Sequence, residues 1–292
     1  MQREGTGYAL VAIAACSWGT WRSILLAAER YAPHLDARVE SAVVMLVITL
    51  FGFGALAFEK REHRGPRSAL AWTGVAWLGV ADALNVMLLF AAYGKTSVAV
   101  AVTTHYLAPI FVAALAPIAL GERAHRAVWL AVMGGVLGLV LLLRPWGEGL
   151  GPRDAVGAAA GAGSAVFYAS NVLVNRRLVQ RFTATELMAF HGVIATPLLF
   201  ALAPFHAFAA LDWRATLVLI GGGIGPGALA GIFFVKALER IRATRASTVT
   251  LLEPLVAVGI AVVALGERLA PVSWLGAAMV IGCAGLAMRP AT

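Results

Sequence analysis

Two stretches of this chain, residues 105–145 and 250–290, are copies of one another at a constant offset of 145 positions, without a gap. Of the 41 aligned pairs 13 are identical, including a Gly-Glu-Arg triplet and a Trp. Each copy ends a half-chain that contains five long apolar runs. Because five is odd, a second copy of such a unit inserts into a membrane upside down. The repeat predicts two inverted halves, residues 1–146 and 154–292, joined by a connector at 147–153.

The composition is that of a polytopic membrane protein. Hydrophobic residues make up 60% of the chain and charged residues 13%, with a mean hydropathy of +0.83. A soluble chain carries roughly a quarter charged residues. The apolar runs are as long as a helix that crosses a bilayer. We predict an all-α integral membrane protein with ten transmembrane helices at 7–28, 40–58, 69–91, 97–120, 126–143, 154–175, 184–203, 213–236, 244–265 and 271–288.

The net charge of +8 reflects how basic residues are placed along the chain. Loops on the side of the two termini contain 14 Lys and Arg, against seven on the other side. Excess Lys and Arg mark the cytoplasmic side. We therefore expect a multi-pass protein of the bacterial inner membrane with both termini in the cytoplasm. No connected basic domain exists, which argues against a nucleic-acid partner.

No catalytic, metal or cofactor motif is found in the sequence. The segment Gly94-Lys95-Thr96 resembles the end of a phosphate-binding loop, but Leu89 stands where the motif needs glycine. No Cys/His cluster has metal-ligand spacing, and Cys16 and Cys283 both lie within spans. We expect neither enzymatic activity nor a cofactor.

A polar stripe runs along one face of the sixth span. Steps of four, three and four residues separate its members, which places them on one helical face; they are Ser164, Tyr168, Asn171 and Asn175. The matching face of the first span carries Trp18 and Trp21. Packing between helices is the alternative explanation. We predict that the two stripes form a substrate pocket with aromatic and amide walls.

Ionisable residues at bilayer depth are costly and usually face a cavity. Asp82 and Asn85 share one face of the third span, although a structural hydrogen bond would explain them as well. Glu253 lies deep in the ninth span, where the first copy has alanine, and it has no cationic partner on its own helix. Glu253 or Asp82 is thus a candidate for proton coupling, with simple facilitated diffusion as the alternative.

The repeated spans four and nine have prolines at matching positions, Pro109 and Pro254. Proline lacks an N–H and kinks a helix. Kinks at matching positions of inverted halves are expected beside a binding site, where His105 and Tyr106 also lie. His105 has a second interpretation as a satisfied core residue, and His191 in span seven is left unassigned.

The eighth span contains an unusual glycine run that includes Gly223, Pro226 and Gly227. Glycine destabilises a helix by about 1 kcal/mol and proline by about 3 kcal/mol. We expect this helix to be bent or broken, as a moving gate requires.

The chain resembles EamA-type members of the drug/metabolite transporter superfamily. The resemblance rests on Trp18-Gly19, on the mid-helix prolines, and on Leu-Gly-Glu at 120–122 and 265–267, followed by Trp129 and Trp274. It implies ten helices in two inverted halves, alternating access, and a central cavity lined by helices one, three, four, six, eight and nine. The aromatic residues predicted at the pocket make the chain similar to YddG-type exporters of aromatic and other amino acids.

We therefore expect a transporter that exports a small zwitterionic metabolite, in particular an amino acid with an aromatic or apolar side chain. One alternative is a sugar-phosphate or nucleotide-sugar exchanger, which needs paired Lys or Arg for phosphate. A second alternative is a membrane enzyme that acts on lipid-linked substrates. The expected partners are the small-molecule substrate and the lipid bilayer, with the protein as a monomer or weak homodimer.

Overall fold

The computed structural model describes residues 2–33, 35–60, 64–146, 151–265 and 268–289. Within them the chain forms fourteen α-helices. They are α1 (Gln2–Trp18), α2 (Trp21–Glu29), α3 (Ala37–Phe58), α4 (Ala69–Tyr93), α5 (Val98–His105), α6 (Ala108–Leu120), α7 (Arg126–Leu143), α8 (Pro152–Leu178), α9 (Ala184–Leu202), α10 (Trp213–Gly222), α11 (Ala230–Leu238), α12 (Ala243–Val249), α13 (Leu252–Leu265) and α14 (Pro271–Met288). Residues 147–150 of the connector, and Gly266 and Glu267 of the second copy, lie outside the described residues.

These helices make ten segments long and apolar enough to cross a membrane. The prediction of ten spans is confirmed, and the predicted ends agree with the observed ones to within about one helical turn. Spans one, four and nine each consist of two consecutive helices, and span eight contains α10, a π-helical segment and α11. Because ten is even, both termini lie at the same end of the bundle, which we call the terminal end. The opposite end is called the far end.

Several helices begin at side-chain caps that satisfy free backbone N–H groups. Ser68 accepts from Ala71 N at the start of α4, and Ser97 accepts from Val100 N at the start of α5. α6 ends at Gly121, whose φ of 68° is left-handed. The N–H of Gly121 and that of the next residue bond back into α6, and the Gly121 bond to the Pro117 carbonyl oxygen is that of a left-handed glycine cap. The glycine of the repeated triplet therefore ends a span.

The two halves interlock through equivalent pairs of helices. The second span of each half packs on its counterpart, α3 on α9, and the fifth spans do the same, α7 on α14. The third span of each half packs on the first span of the other half, α4 on α8 and α11 on α1. At the crossing of α7 and α14, a methyl group on Gly276 would lie 2.5 Å from the Gly138 carbonyl oxygen. Glycine permits this close backbone approach.

Candidate functional site

Three spans are interrupted near mid-membrane, and two of the interruptions meet. Span one changes helix at Gly19, span four at Tyr106 and span nine at Thr250. A methyl group on Gly19 would lie 2.7 Å from the Glu253 carbonyl oxygen, so the interruptions of spans one and nine are in contact. The interruptions in spans four and nine lie just before the two predicted prolines, at equivalent positions of the repeat.

Residues predicted from three different spans join in one hydrogen-bond chain. The Ser164 hydroxyl of α8 donates to Asn85 in α4, with Oγ 2.8 Å from Oδ1 and 3.0 Å from the backbone oxygen. Because the one hydroxyl hydrogen of Ser164 is used in this way, its oxygen must accept from His105. The His105 Nδ1 lies 2.8 Å from Ser164 Oγ and donates to it. The His105 ring also makes edge contacts with Tyr106 and Tyr168, at centroid distances of 5.3 and 5.4 Å.

Glu253 lies among tyrosines contributed by three other helices. Its carboxyl group interacts with the Tyr106 hydroxyl. Its charge also acts on Tyr168 of α8 and on Tyr93 at the end of α4. Tyr93 was not predicted, because at the end of a span it resembles an interfacial aromatic residue. Glu253 is therefore part of the same aromatic and polar assembly as His105.

Asp82 forms a second polar group with two neighbouring spans. The Asn171 Nδ2 of α8 donates to Asp82 Oδ1 at 3.3 Å. His191 of α9 places Nε2 3.7 Å from Asp82 Oδ2. The predicted faces of spans three and six therefore meet, and His191, unassigned from the sequence, joins them. No short-range pattern relates a histidine of span seven to an aspartate of span three. For this reason no role could be assigned to His191 from the sequence.

The two tryptophans of span one contact span eight. The Trp18 ring packs on Phe234 of α11 at a centroid distance of 5.3 Å. The Trp21 ring lies against Gly222, where an added methyl group would be 3.0 Å from its Cζ3. The span-six stripe, by contrast, bonds to spans three and four. A pocket shared by the two stripes stays a prediction.

The glycine run of span eight forms a π-helical segment at Gly223–Leu229 that includes Pro226. Such segments are local departures from the α-helix and are common at functional sites. A methyl group on Gly223 would lie 2.7 Å from Val47 Cβ, and one on Gly227 would lie 2.8 Å from the Ile48 side chain. Both glycines thus let span eight lie close to α3. Their role as a gate stays a prediction.

Polar contacts tie the spans together at the terminal end. Glu122, from the repeated triplet, accepts from Arg176 Nε at 2.7 Å and from Ala243 N at the start of α12 at 3.0 Å. Arg245 of α12 donates to the Tyr8 hydroxyl at 2.7 Å. The sequence pattern indicates only a topological role for the basic residues here. The structure shows that two of them join helices.

The two copies of the repeat are packed differently. Every residue of α12 is buried, whereas its counterpart α5 buries only Val100 and Ala101. α6 buries five residues, whereas 252–264 of its counterpart α13 buries only Pro254. α12 and α6 lie in the terminal half of the bundle, and α5 and α13 in the far half. The bundle is therefore closed at the terminal end and packed more loosely at the far end.

Within the described part of the chain, no group of three His, Cys, Asp or Glu could hold a metal ion. In the same residues, neither Lys nor Arg forms a hydrogen bond or ion pair with the groups around Asp82, His105 and Glu253. The assembly therefore offers carboxylates, amides, imidazoles and aromatic rings.

Comparison with known proteins places the chain among transporters. A sequence profile described as the EamA-like transporter family matches residues 5–144 and 155–289. The chain is 27% identical to "Uncharacterized transporter YwfM" of Bacillus subtilis, over 95% of this chain and 92% of that protein. It is 31% identical to "Pseudopaline exporter CntI" of Pseudomonas aeruginosa over 44% of this chain and 45% of the exporter. A solved crystal structure superimposes with a TM-score of 0.78 at 18% identity, covering 98% of each chain, and so has the same fold.

Proposed function

Because the chain belongs to the EamA-like transporter family, we propose that it exports small zwitterionic metabolites from the bacterial cytoplasm. The substrates are amino acids with an apolar or aromatic side chain. The protein acts as a monomer or weak homodimer in the inner membrane with its terminal end in the cytoplasm, and we assign it no enzymatic role.

One observation carries the substrate class: the chemistry of the mid-membrane assembly. Two carboxyl groups, Asp82 and Glu253, lie among amides and phenols at a depth where charge is costly. Carboxylates and amide oxygens accept hydrogen bonds from an ammonium group. The rings of Tyr106 and Tyr168 offer a flat surface to an apolar or aromatic side chain.

A sugar-phosphate exchanger fits this assembly poorly. Phosphate is recognised by Arg or Lys, and Arg in particular binds it through two parallel hydrogen bonds. Arg22 is a basic residue within span one, but its side chain is 57% exposed and paired with Glu29. An exporter is also named among the similar proteins. These observations favour a substrate that brings an ammonium group.

Alternating access is supported by the unequal packing of the repeat. We propose that residues 1–146 and 154–292 are inverted halves that exchange their packing during transport. In this structure α12 is fully buried and α5 is only partly buried. In the opposite state α5 becomes buried and α12 becomes accessible. The gating elements are the segments before Pro109 and Pro254 and the π-helical segment of span eight.

Exchange in proteoliposomes tests the function. Vesicles that contain the purified protein and are loaded with unlabelled L-phenylalanine should take up labelled L-phenylalanine by counterflow. Vesicles loaded with unlabelled L-leucine should also take up labelled L-phenylalanine. Vesicles loaded with glucose 6-phosphate should show no counterflow of the labelled sugar phosphate. Counterflow of the sugar phosphate without that of the amino acids would establish the alternative. Protein-free vesicles provide the control.

A further inference from the structure

Two oxygen atoms at Asp82 and Asn171 have no hydrogen-bond donor among the described residues. The Asn171 Oδ1 is buried and unpartnered in the described part of the protein. Asp82 Oδ2 lies 3.7 Å from His191 Nε2, beyond hydrogen-bonding distance, and only its other oxygen accepts from Asn171. A buried acceptor without a donor is unfavourable, because it has lost its hydrogen bond to water. The group therefore contains acceptors that a bound species can satisfy.

The third member of the group is His191, and its hydrogen position follows from the backbone. Its Nδ1 lies 2.8 Å from the Leu187 carbonyl oxygen. A carbonyl oxygen only accepts, so Nδ1 carries a hydrogen. A ring carbon would not approach an oxygen closer than about 3.3 Å, which fixes the orientation of the ring. In the neutral imidazole, Nε2 is therefore a lone pair that faces the Asp82 carboxylate.

Neutral His191 thus leaves two acceptors facing each other, His191 Nε2 and Asp82 Oδ2, beside the unpartnered amide oxygen of Asn171. Two species can supply the missing hydrogen. A proton on Nε2 turns the histidine and the aspartate into an imidazolium and a carboxylate. An ammonium group has three N–H donors, enough to bond both facing acceptors. Its nitrogen can lie about 2.8 Å from both Nε2 and Oδ2 without moving either atom, because these atoms are 3.7 Å apart.

The surroundings provide no competing cation. Asp82 is the one charged group that acts on His191 among the described residues. Of the titratable groups on helices packed against α4 and α9, the Tyr168 phenol on α8 is close enough to respond to Asp82. On α5, His105 is bound to Ser164. Glu40 on α3 and Lys236 on α11 do not act on His191.

The close contact between α4 and α9 holds the group together. A methyl group on Gly79 of α4 would lie 2.5 Å from the His191 carbonyl oxygen and 2.6 Å from Ile194 Cβ. Asp82 follows Gly79 by nearly one helical turn, so this approach brings its carboxyl group to His191. The Asp82 side chain stays 27% exposed, so the carboxyl group is not fully enclosed by the packed helices.

We propose that Asp82, Asn171 and His191 form the site at which the ammonium group of the substrate is exchanged for a proton. Without substrate, His191 carries hydrogen on both nitrogens and pairs with the Asp82 carboxylate. When the ammonium group enters, the Nε2 proton leaves to water and the ammonium binds His191 Nε2 and Asp82 Oδ2, beside Asn171. One positive charge replaces another, so the charge of the site is conserved. The inference rests on the proposed function, because it takes the substrate to bear an ammonium group.

Two measurements on the full chain test the exchange. In weakly buffered detergent solution near pH 6, L-phenylalanine should release about one proton per bound molecule, read with a pH indicator dye. ¹⁵N-histidine NMR should show His191 with hydrogen on both nitrogens before addition and on Nδ1 alone afterwards. His191→Gln identifies the signal. His191→Gln and Asp82→Asn should abolish the release, whereas His206→Gln, outside the spans, should keep it.

Benzylamine, an ammonium probe without a carboxylate, separates this inference from the proposed function. If benzylamine releases the proton while no amino acid is exchanged, the site stands and the proposed substrate class fails. If L-phenylalanine is exchanged without proton release, the function stands and the site is refuted. NMR signals showing hydrogen on Nε2 alone, or no change on binding, would also overturn it. The NMR measurement on the unmodified site holds even where a variant misfolds.

Discussion

Glu122→Gln should open the terminal end of the bundle. The Glu122 carboxylate joins three segments, because it accepts from Arg176 of span six and from Ala243 N at the start of span nine. Arg176 also donates to the Leu238 carbonyl oxygen at 2.7 Å. Glutamine keeps the size and one acceptor oxygen, so the substitution removes the charge with little loss of packing.

The magnitude follows from the two hydrogen bonds. The side chains of Arg176 and Glu122 are 21% and 13% exposed, so solvent screens their interaction only in part. A hydrogen bond to a charged group contributes about 1.5–3 kcal/mol, and a neutral one about half as much. Allowing for a retained neutral bond and partial relaxation, the closed state should lose about 1–2 kcal/mol. That loss corresponds to a 5- to 30-fold change in the ratio of open to closed molecules.

Cysteine labelling measures this change. Ser247 of α12 is fully buried, so Ser247→Cys should react with a polar maleimide only when the terminal end opens. In a background without Cys16 and Cys283, Glu122→Gln should raise the labelling rate 5- to 30-fold. Glu29→Gln provides the control, because its pair with Arg22 is exposed and contributes little. An unchanged labelling rate in folded, monodisperse Glu122→Gln would refute the role assigned to Glu122.

The other predictions concern the pocket, the packing and the topology. Trp21→Ala should weaken transport of bulky amino acids more than small ones, because ring contact contributes about 0.5–1.5 kcal/mol beyond burial; an equal loss for all substrates at normal expression would contradict the pocket. Gly79→Ala should lower the melting temperature and reduce proton release, since overpacking costs about 1–3 kcal/mol, whereas Gly54→Ala, with open space around it, should do neither. Glu253→Gln should weaken substrate binding but keep proton release, which a dye assay at saturating L-phenylalanine checks; loss of release would place coupling at Glu253. Glu62→Cys, outside the described residues, should be labelled only from the cytoplasm, and labelling from outside would reverse the topology.

Local pattern was sufficient to predict the spans and the interruptions of spans four, eight and nine, but not the break of span one at Gly19. Apolar run length determines where a helix crosses the bilayer, and Pro109 and Pro254 remove backbone donors wherever they occur. The helices end within about one turn of the predicted positions. The glycine run of span eight was predicted to be irregular, and a π-helical segment occurs there. The structure also places the predicted His105, Ser164 and Asn85 in one hydrogen-bond chain.

Hydropathy and helical spacing were enough to predict the class of protein, the ten spans and most of the polar residues near mid-membrane, because both act over a few residues. Which of those residues meet depends on the folded arrangement of the helices. Asp82 and Asn171 are 89 positions apart, and Glu122 bonds a backbone N–H 121 positions away. Such contacts depend on which helices cross, as at Gly79, and small residues along a helix mark a close approach without specifying the partner helix. For the same reason, the position of His191 Nε2 beside Asp82 could be identified only from the folded structure.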